Sequence, residues 1–141
     1  MRKKLAWRTV LGFGLVGFLL LSGCVVTEAN DQPPRVELLA PTNEAADLEL
    51  DVVLQWNGQP GQAAAAARGE ALTILGYLVF FAVADQPYGQ PEATAEESLE
   101  KASLAYGTRY KWKVEAVQSN GQRTVSRESF FTTKQLQNEA P

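Results

Sequence analysis

The chain has 141 residues, one cysteine, no histidine and a formal net charge of −3. That length suits one domain. Without histidine there is no Ser-His-Asp triad, no Cys-His pair and no imidazole metal ligand, and a lone cysteine closes no internal disulfide.

Residues 1–23 read as a targeting segment. Arg2, Lys3, Lys4 and Arg8 form a basic n-region. The apolar run from Val10 to Leu21 is broken by Gly12, Gly14 and Gly17. It falls short of the roughly 20 apolar residues of a membrane-spanning helix and suits a signal-peptide h-region. The run ends at Leu21-Ser22-Gly23-Cys24, which resembles the lipobox of bacterial lipoproteins: a Leu, two small residues, then Cys. The resemblance implies that the Cys24 thiol carries a diacylglycerol, that the peptide is cut before it, and that the new amino group is acylated. It implies a lipid anchor on the exported side of the cytoplasmic membrane, in the cell membrane or an outer membrane. Val25 stands where some enteric lipoproteins carry the Asp that retains them in the inner membrane. That favours an outer location in a source with two membranes.

Cleavage removes the four basic residues of the n-region. The mature part keeps nine Lys+Arg against sixteen Asp+Glu, a net charge of −7. An acidic domain is a poor partner for nucleic acid, whose binding draws on basic patches. It is equally unsuited to binding an anionic membrane by charge. The acyl chains would hold it there, at roughly 0.8 kcal/mol per buried methylene.

Residues 24–33 read as a polar tether, stiffened at its end by Pro33-Pro34. Arg35 to Ala40 is a first short strand, stopped by Pro41. Thr42-Asn43-Glu44 is a turn. Leu48, Leu50, Val52, Leu54 and Trp56 then occupy even positions, while polar residues fill the odd ones except Val53. A period of two predicts one strand across 48–56 with its even side in the core. Residues 57–75 read as a long connection containing Asn57-Gly58, Pro60-Gly61 and the alanine run 63–67. Connections of this length are usually functional or disordered. Gly76 to Val83 is nearly all apolar and predicts a strand. Tyr77, Val79, Phe81 and Val83 share one face, and Leu78, Phe80 and Ala82 the other.

Asp85 to Ala95 reads as loop, and Glu96 to Ser103 as a short strand leading to Leu104. In Tyr110 to Val117, Tyr110, Trp112, Val114 and Ala116 alternate with Lys111, Lys113 and Glu115, predicting a half-buried strand. Ser119-Asn120-Gly121 is a hairpin turn. Thr124 to Thr133 returns as the last strand, with at least one of Phe130 and Phe131 in the core. Residues 134–141 are a polar tail.

Seven or so short strands separated by turns predict an all-β sandwich over residues 34–133. The stretch Leu104-Ala105-Tyr106-Gly107-Thr108-Arg109-Tyr110 resembles the Leu-x-Pro-Gly-Thr-x-Tyr of the fibronectin type III family, with Tyr106 in place of the proline. Trp56 and the Tyr77-x-Val79-x-Phe81 pattern match the family's second and third strands. Tyr110, Trp112, Val114 and the end Phe130 to Thr133 are similar to domains of bacterial surface lipoproteins. The resemblance implies a fibronectin type III-like (immunoglobulin-like) antiparallel β-sandwich. It also implies that Tyr110 is a tyrosine corner, its hydroxyl bonded back to the preceding turn.

Carboxylates are the remaining route to chemistry. Asp47, Glu49 and Asp51 on a strand edge are weighed as a Ca²⁺ site and read as a solvated face, because six or more oxygen ligands are not evident. Glu96, Glu97 and Glu100 are weighed as a glycosidase pair and read as a charged edge. Arg68-Gly69-Glu70 departs from the adhesion tripeptide by its Glu. The expectation is therefore a non-enzymatic domain with no cofactor beyond the lipid on Cys24. It binds a protein partner in a cell-envelope assembly or, alternatively, carbohydrate. Two surfaces are candidates. Leu78, Phe80 and Val117 form an apolar patch unless the loop 57–75 covers it. Tyr88, Tyr106 and that loop form the other.

Overall fold

The computed structural model describes residues 32–61 and 71–137. The signal segment, Cys24, most of the tether and the alanine run lie outside them. Among the described residues no helix is long and apolar enough to cross a membrane.

Among the described residues nine strands form two sheets. β1 (Arg35–Ala40), β3 (Val52–Gln59) and β6 (Ser98–Lys101) make the first, in the order β1-β3-β6. The second holds β2 (Ala45–Leu48), β9 (Ser129–Thr133), β7 (Arg109–Gln118), β4 (Ile74–Val83) and β5 (Glu92–Thr94) in that order, with β8 (Arg123–Val125) also on β7. All pairs are antiparallel except β2 with β9. The fold class is the predicted β-sandwich.

The alternating strands build the core. Val52, Leu54 and Trp56 of β3 face Tyr77 and Val79 of β4, and Tyr110, Trp112, Val114 and Ala116 of β7. Phe131 of β9 closes the far end, so one of the paired phenylalanines is core as expected. Trp56 packs edge-on against Tyr77, ring centroids 5.5 Å apart, and lies 6.5 Å from Trp112. The corner forms as the resemblance implied. The Ala105 N–H donates to the Tyr110 hydroxyl at 3.0 Å, and Gly107 supplies the positive φ of 56° the turn requires. Tyr106 replaces the usual proline, and the turn is held from the last strand instead. The Thr133 hydroxyl donates to the Ala105 carbonyl at 2.6 Å and accepts from the Thr108 N–H at 3.0 Å.

The strands differ from the sequence-based expectation in four places. The stretch 48–56 is not one strand. Ala45 to Leu48 pairs with β9 in one sheet, and Val52 onward pairs with β1 and β6 in the other. The chain crosses between sheets from Leu48 to Val52, after Asp47 takes a φ of 56° within β2, and at the crossing Asp51 Oδ1 accepts the Ser103 N–H at 2.8 Å. The long connection shortens to 60–73, because β3 runs to Gln59 and β4 starts at Ile74. The stretch 85–95 contains β5, an edge strand paired to β4 through Tyr77↔Thr94 to Val79↔Glu92. The last strand is broken into β8 and β9. At the break the Ser126 hydroxyl accepts the Val114 N–H at 3.0 Å and donates to the Arg127 carbonyl, so a side chain takes a rung of the ladder.

Candidate functional site

β4 and β7 pair from Ile74↔Gln118 to Val83↔Tyr110. Residues directly opposite share a face, so the register decides what stands outside the sandwich. Leu78, Phe80 and Ala82 of β4 lie beside Glu115, Lys113 and Lys111 of β7. Val117 lies beside Gly76. The predicted patch residues Leu78, Phe80 and Val117 therefore do share the outer face of this sheet, and all three are half-buried.

At the Gln118 end the face is apolar. A bulge between Ile74 and Gly76 turns Leu75 outward, leaving it 64% exposed. Leu75, Leu78, Ala93 and Val117 line an open groove of about 400 Å³. At the Tyr110 end the face is aromatic and basic. Tyr88, on the connection after β4, folds back over the sheet and packs edge-on against Phe80, centroids 5.9 Å apart. Its hydroxyl donates to Glu128 Oε2 at 2.7 Å. Lys111 Nζ and Lys113 Nζ lie 4.8 and 4.9 Å from the centre of the Tyr88 ring, and Lys113 Nζ is 5.2 Å from that of Phe80. Such contacts contribute about 0.5–1 kcal/mol each at exposed sites. Among the described residues neither lysine has a carboxylate within ion-pair distance, whereas Arg123 pairs with Glu115 and Arg109 with Glu44. Arg109 also lies over Phe130, 4.3 Å from its ring centre.

Tyr88 therefore belongs with the first candidate surface and not with Tyr106. Tyr106 sits before β7, near Asp47, Glu49 and Lys134. The described ends of the connection 60–73 lie at the opposite end of β7, where the Gly61 N–H donates to Gln118 Oε1 at 3.0 Å and the Ser119 N–H donates to the Thr73 carbonyl. Tyr106 and those ends do not form one surface, because β7 separates them by about 30 Å at 3.3 Å per residue. Residues 62–70 lie outside the described part of the chain, as does Cys24. Lys111, Lys113 and Glu128 escaped the sequence-based site. The alternation put both lysines outside, yet only the pairing register shows which neighbour they meet.

The acidic residues serve separate partners. Glu49 pairs with Lys134, Asp51 caps Ser103, and Asp47 lies on β2 in the other sheet. Among the described residues no group of three Asp, Glu, Cys or His could hold a metal ion. Glu97 acts as a clasp between the sheets. Its Oε1 accepts the Tyr77 hydroxyl and the Gly58 N–H, both at 2.8 Å.

Burial, then the carboxylate of Glu97, push the Tyr77 hydroxyl well above its ordinary 10.0. Burial and Glu128 do the same to Tyr88. The proton is held more firmly in the folded state than in the unfolded one. Its stabilisation is fully present below pH 10.0 and is lost as the pH rises above that value. Urea unfolding midpoints measured across the alkaline range are expected to fall above that pH. Tyr77→Phe is expected to flatten the fall, and an unchanged profile in that variant would count against the Tyr77 proton as its source.

No family model matches the chain, and no curated protein matches it. Solved structures do. The solution structure of the fourth fibronectin type III domain of a human protein is 20% identical, covering 85% of this chain and 93% of that one with a TM-score of 0.55. The sixth fibronectin type III domain of human fibronectin type III domain containing protein 3 is 13% identical, covering 79% and 90% with a TM-score of 0.52. These likenesses show the fold: the chain is a fibronectin type III-like β-sandwich.

Proposed function

We propose that this chain is a non-catalytic interaction module. It is held on the exported side of a bacterial membrane by lipid at Cys24. It binds a protein partner in a cell-envelope assembly through the outer face of the β5-β4-β7 sheet. The observation that carries the reading is the apolar groove of Leu75, Leu78, Ala93 and Val117, open among the described residues beside a layer of covered rings. An apolar surface rimmed by polar groups is the usual mark of a protein contact. The lack of histidine and the separate partners of the carboxylates support a binding role over a catalytic one.

Carbohydrate binding is the alternative, and this face suits it less. Sugars stack on open aromatic rings, but Tyr88 and Phe80 already carry lysine ammonium groups. Tyr106, 46% exposed, is the one exposed aromatic among the described residues, and it lies elsewhere.

The test is cross-linking of the tagged full chain in intact cells, followed by mass spectrometry of what co-purifies. A recurrent protein is expected, lost in Leu75→Asp and Leu78→Asp while the fold is retained. Phe80→Asp is a poorer probe because Phe80 is packed beneath Tyr88 and Lys113. Lipid labelling is expected to disappear in Cys24→Ala; labelling that persists removes the anchor from the proposal. If no protein partner recurs, the weight moves to glycan.

A further inference from the structure

We infer that the segment this face receives is an acidic, extended peptide stretch with an apolar residue about four positions from its carboxylates. The inference rests on the interaction reading above and specifies its partner.

Charge comes first. Residues 24–141 carry nine Lys+Arg against sixteen Asp+Glu, a net −7, so an acidic partner is repelled by the domain as a whole. Positive charge on this face is therefore a local reversal. Lys111 and Lys113 stand two residues apart on β7, about 7 Å along an extended strand. Both point outward, and among the described residues neither is neutralised by a carboxylate. The neighbouring cation on the same strand, Arg109, is already paired to Glu44. What remains for a ligand is the lysine pair.

Their placement is held by the rings. Tyr88 is fixed by its bond to Glu128 and by the edge of Phe80. Both ammonium groups lie over that one ring. The rings disperse part of the repulsion between two like charges, and a carboxylate set between them would remove the rest. Lysine stems laid along apolar surface also lose less freedom on binding than free ones. The same contacts weaken the case for a neutral sugar, whose stacking place is taken.

Geometry adds the apolar part. Val117 follows Lys113 by four residues on the same face, about 13 Å along the strand. Leu78 and Leu75 stand beside Val117 in the groove. An extended ligand with its carboxylates on the lysines therefore brings an apolar side chain into the groove about four residues on. Between them lies the Glu115–Arg123 pair, which is self-neutralised and asks for no charge from the ligand.

The probe is a synthetic peptide with glutamates at two alternate positions and a leucine four positions beyond, titrated into the full lipidated chain in detergent by calorimetry. Two controls replace the glutamates by glutamine and the leucine by serine. The glutamate peptide is expected to bind, more weakly as salt rises, and at least tenfold more tightly than either control. Lys111→Glu with Lys113→Glu is expected to abolish binding. Lys111→Gln with Lys113→Gln, which keeps much of the stem packing, is expected to weaken it about tenfold. Urea unfolding checks that both double variants are folded. Equal binding of the glutamine peptide, no binding of the glutamate peptide, or full binding by the folded charge-reversed variant overturns the inference. So does binding of polygalacturonate in place of the peptide, which would make the ligand an anionic glycan. A cross-linked partner that is lost in Leu78→Asp but kept in Lys111→Glu with Lys113→Glu leaves the interaction reading standing and removes this one. No recurrent partner at all removes the reading itself.

Discussion

Trp56→Ala is expected to destabilise the domain by about 3–5 kcal/mol, the range for a large aromatic removed from a packed core. Trp56 is 1% exposed and touches the two other large rings at the centre, Tyr77 and Trp112. It stands on β3, so its loss opens a cavity between the sheets rather than at an edge. Trp56→Phe separates the two contributions of the ring. The indole N–H is buried with no hydrogen-bond partner among the described residues. Phenylalanine keeps most of the packing and removes an unmet donor, so its cost is expected to be well below that of alanine. Urea unfolding followed by circular dichroism measures both. A loss under about 1 kcal/mol in Trp56→Ala would show that the core collapses around the missing ring.

Gly58→Ala is the second large effect, about 1–3 kcal/mol, and it arises from overpacking. A Cβ at Gly58 would lie 2.4 Å from the Tyr77 hydroxyl oxygen and 2.6 Å from Ile74 Cδ1. The Tyr77 hydroxyl cannot move cheaply, whereas Ile74 Cδ1 is the end of a flexible, partly buried side chain. Tyr77 is packed against Trp56 and tied to Glu97, and Ile74 packs against the core. The methyl group therefore pushes Tyr77 off Glu97 and loosens the clasp between the sheets. Tyr77→Phe in the same chain removes the closest clash along with the hydrogen bond. The double variant is expected to be less destabilised than the sum of the two single ones, since they share one contact. Additive losses would show that Gly58 and Tyr77 act independently.

Much of this arrangement was written in the residues. Period-two alternation is a local property, so it identified β7 and the inward face of β3 without any partner in view. The Asn120-Gly121 turn was legible for the same reason, and the corner at Tyr110 through the resemblance of residues 104–110 to a family pattern. Each is a short stretch whose backbone needs particular residues: Gly121 has a φ of 81° and Gly107 one of 56°. The absence of histidine narrowed the chemistry by composition alone.

Other features were decided only when distant parts of the chain met. The even-numbered apolar residues from Leu48 to Trp56 keep one phase across a sheet-to-sheet crossing, and a phase cannot say which sheet a residue joins. The crossing is set by contacts with Phe131 and Thr133 on one side and Leu99 and Lys101 on the other, all far along the chain. The break after Val125 depends on Ser126 reaching Val114. The candidate surface is of the same kind. Leu78, Phe80 and Val117 could be placed outside by alternation, but Tyr88 read as part of a different surface. What joins Tyr88 to Phe80, Lys111, Lys113 and Glu128 is a strand register and the fold-back of a connection. Both are fixed by pairing energy summed over the whole sheet. The class of fold, the core faces and the tight turns are legible in the residues because the physics that sets them is local. How the strands divide between sheets, and which charges and rings share a face, depends on contacts between distant parts of the chain.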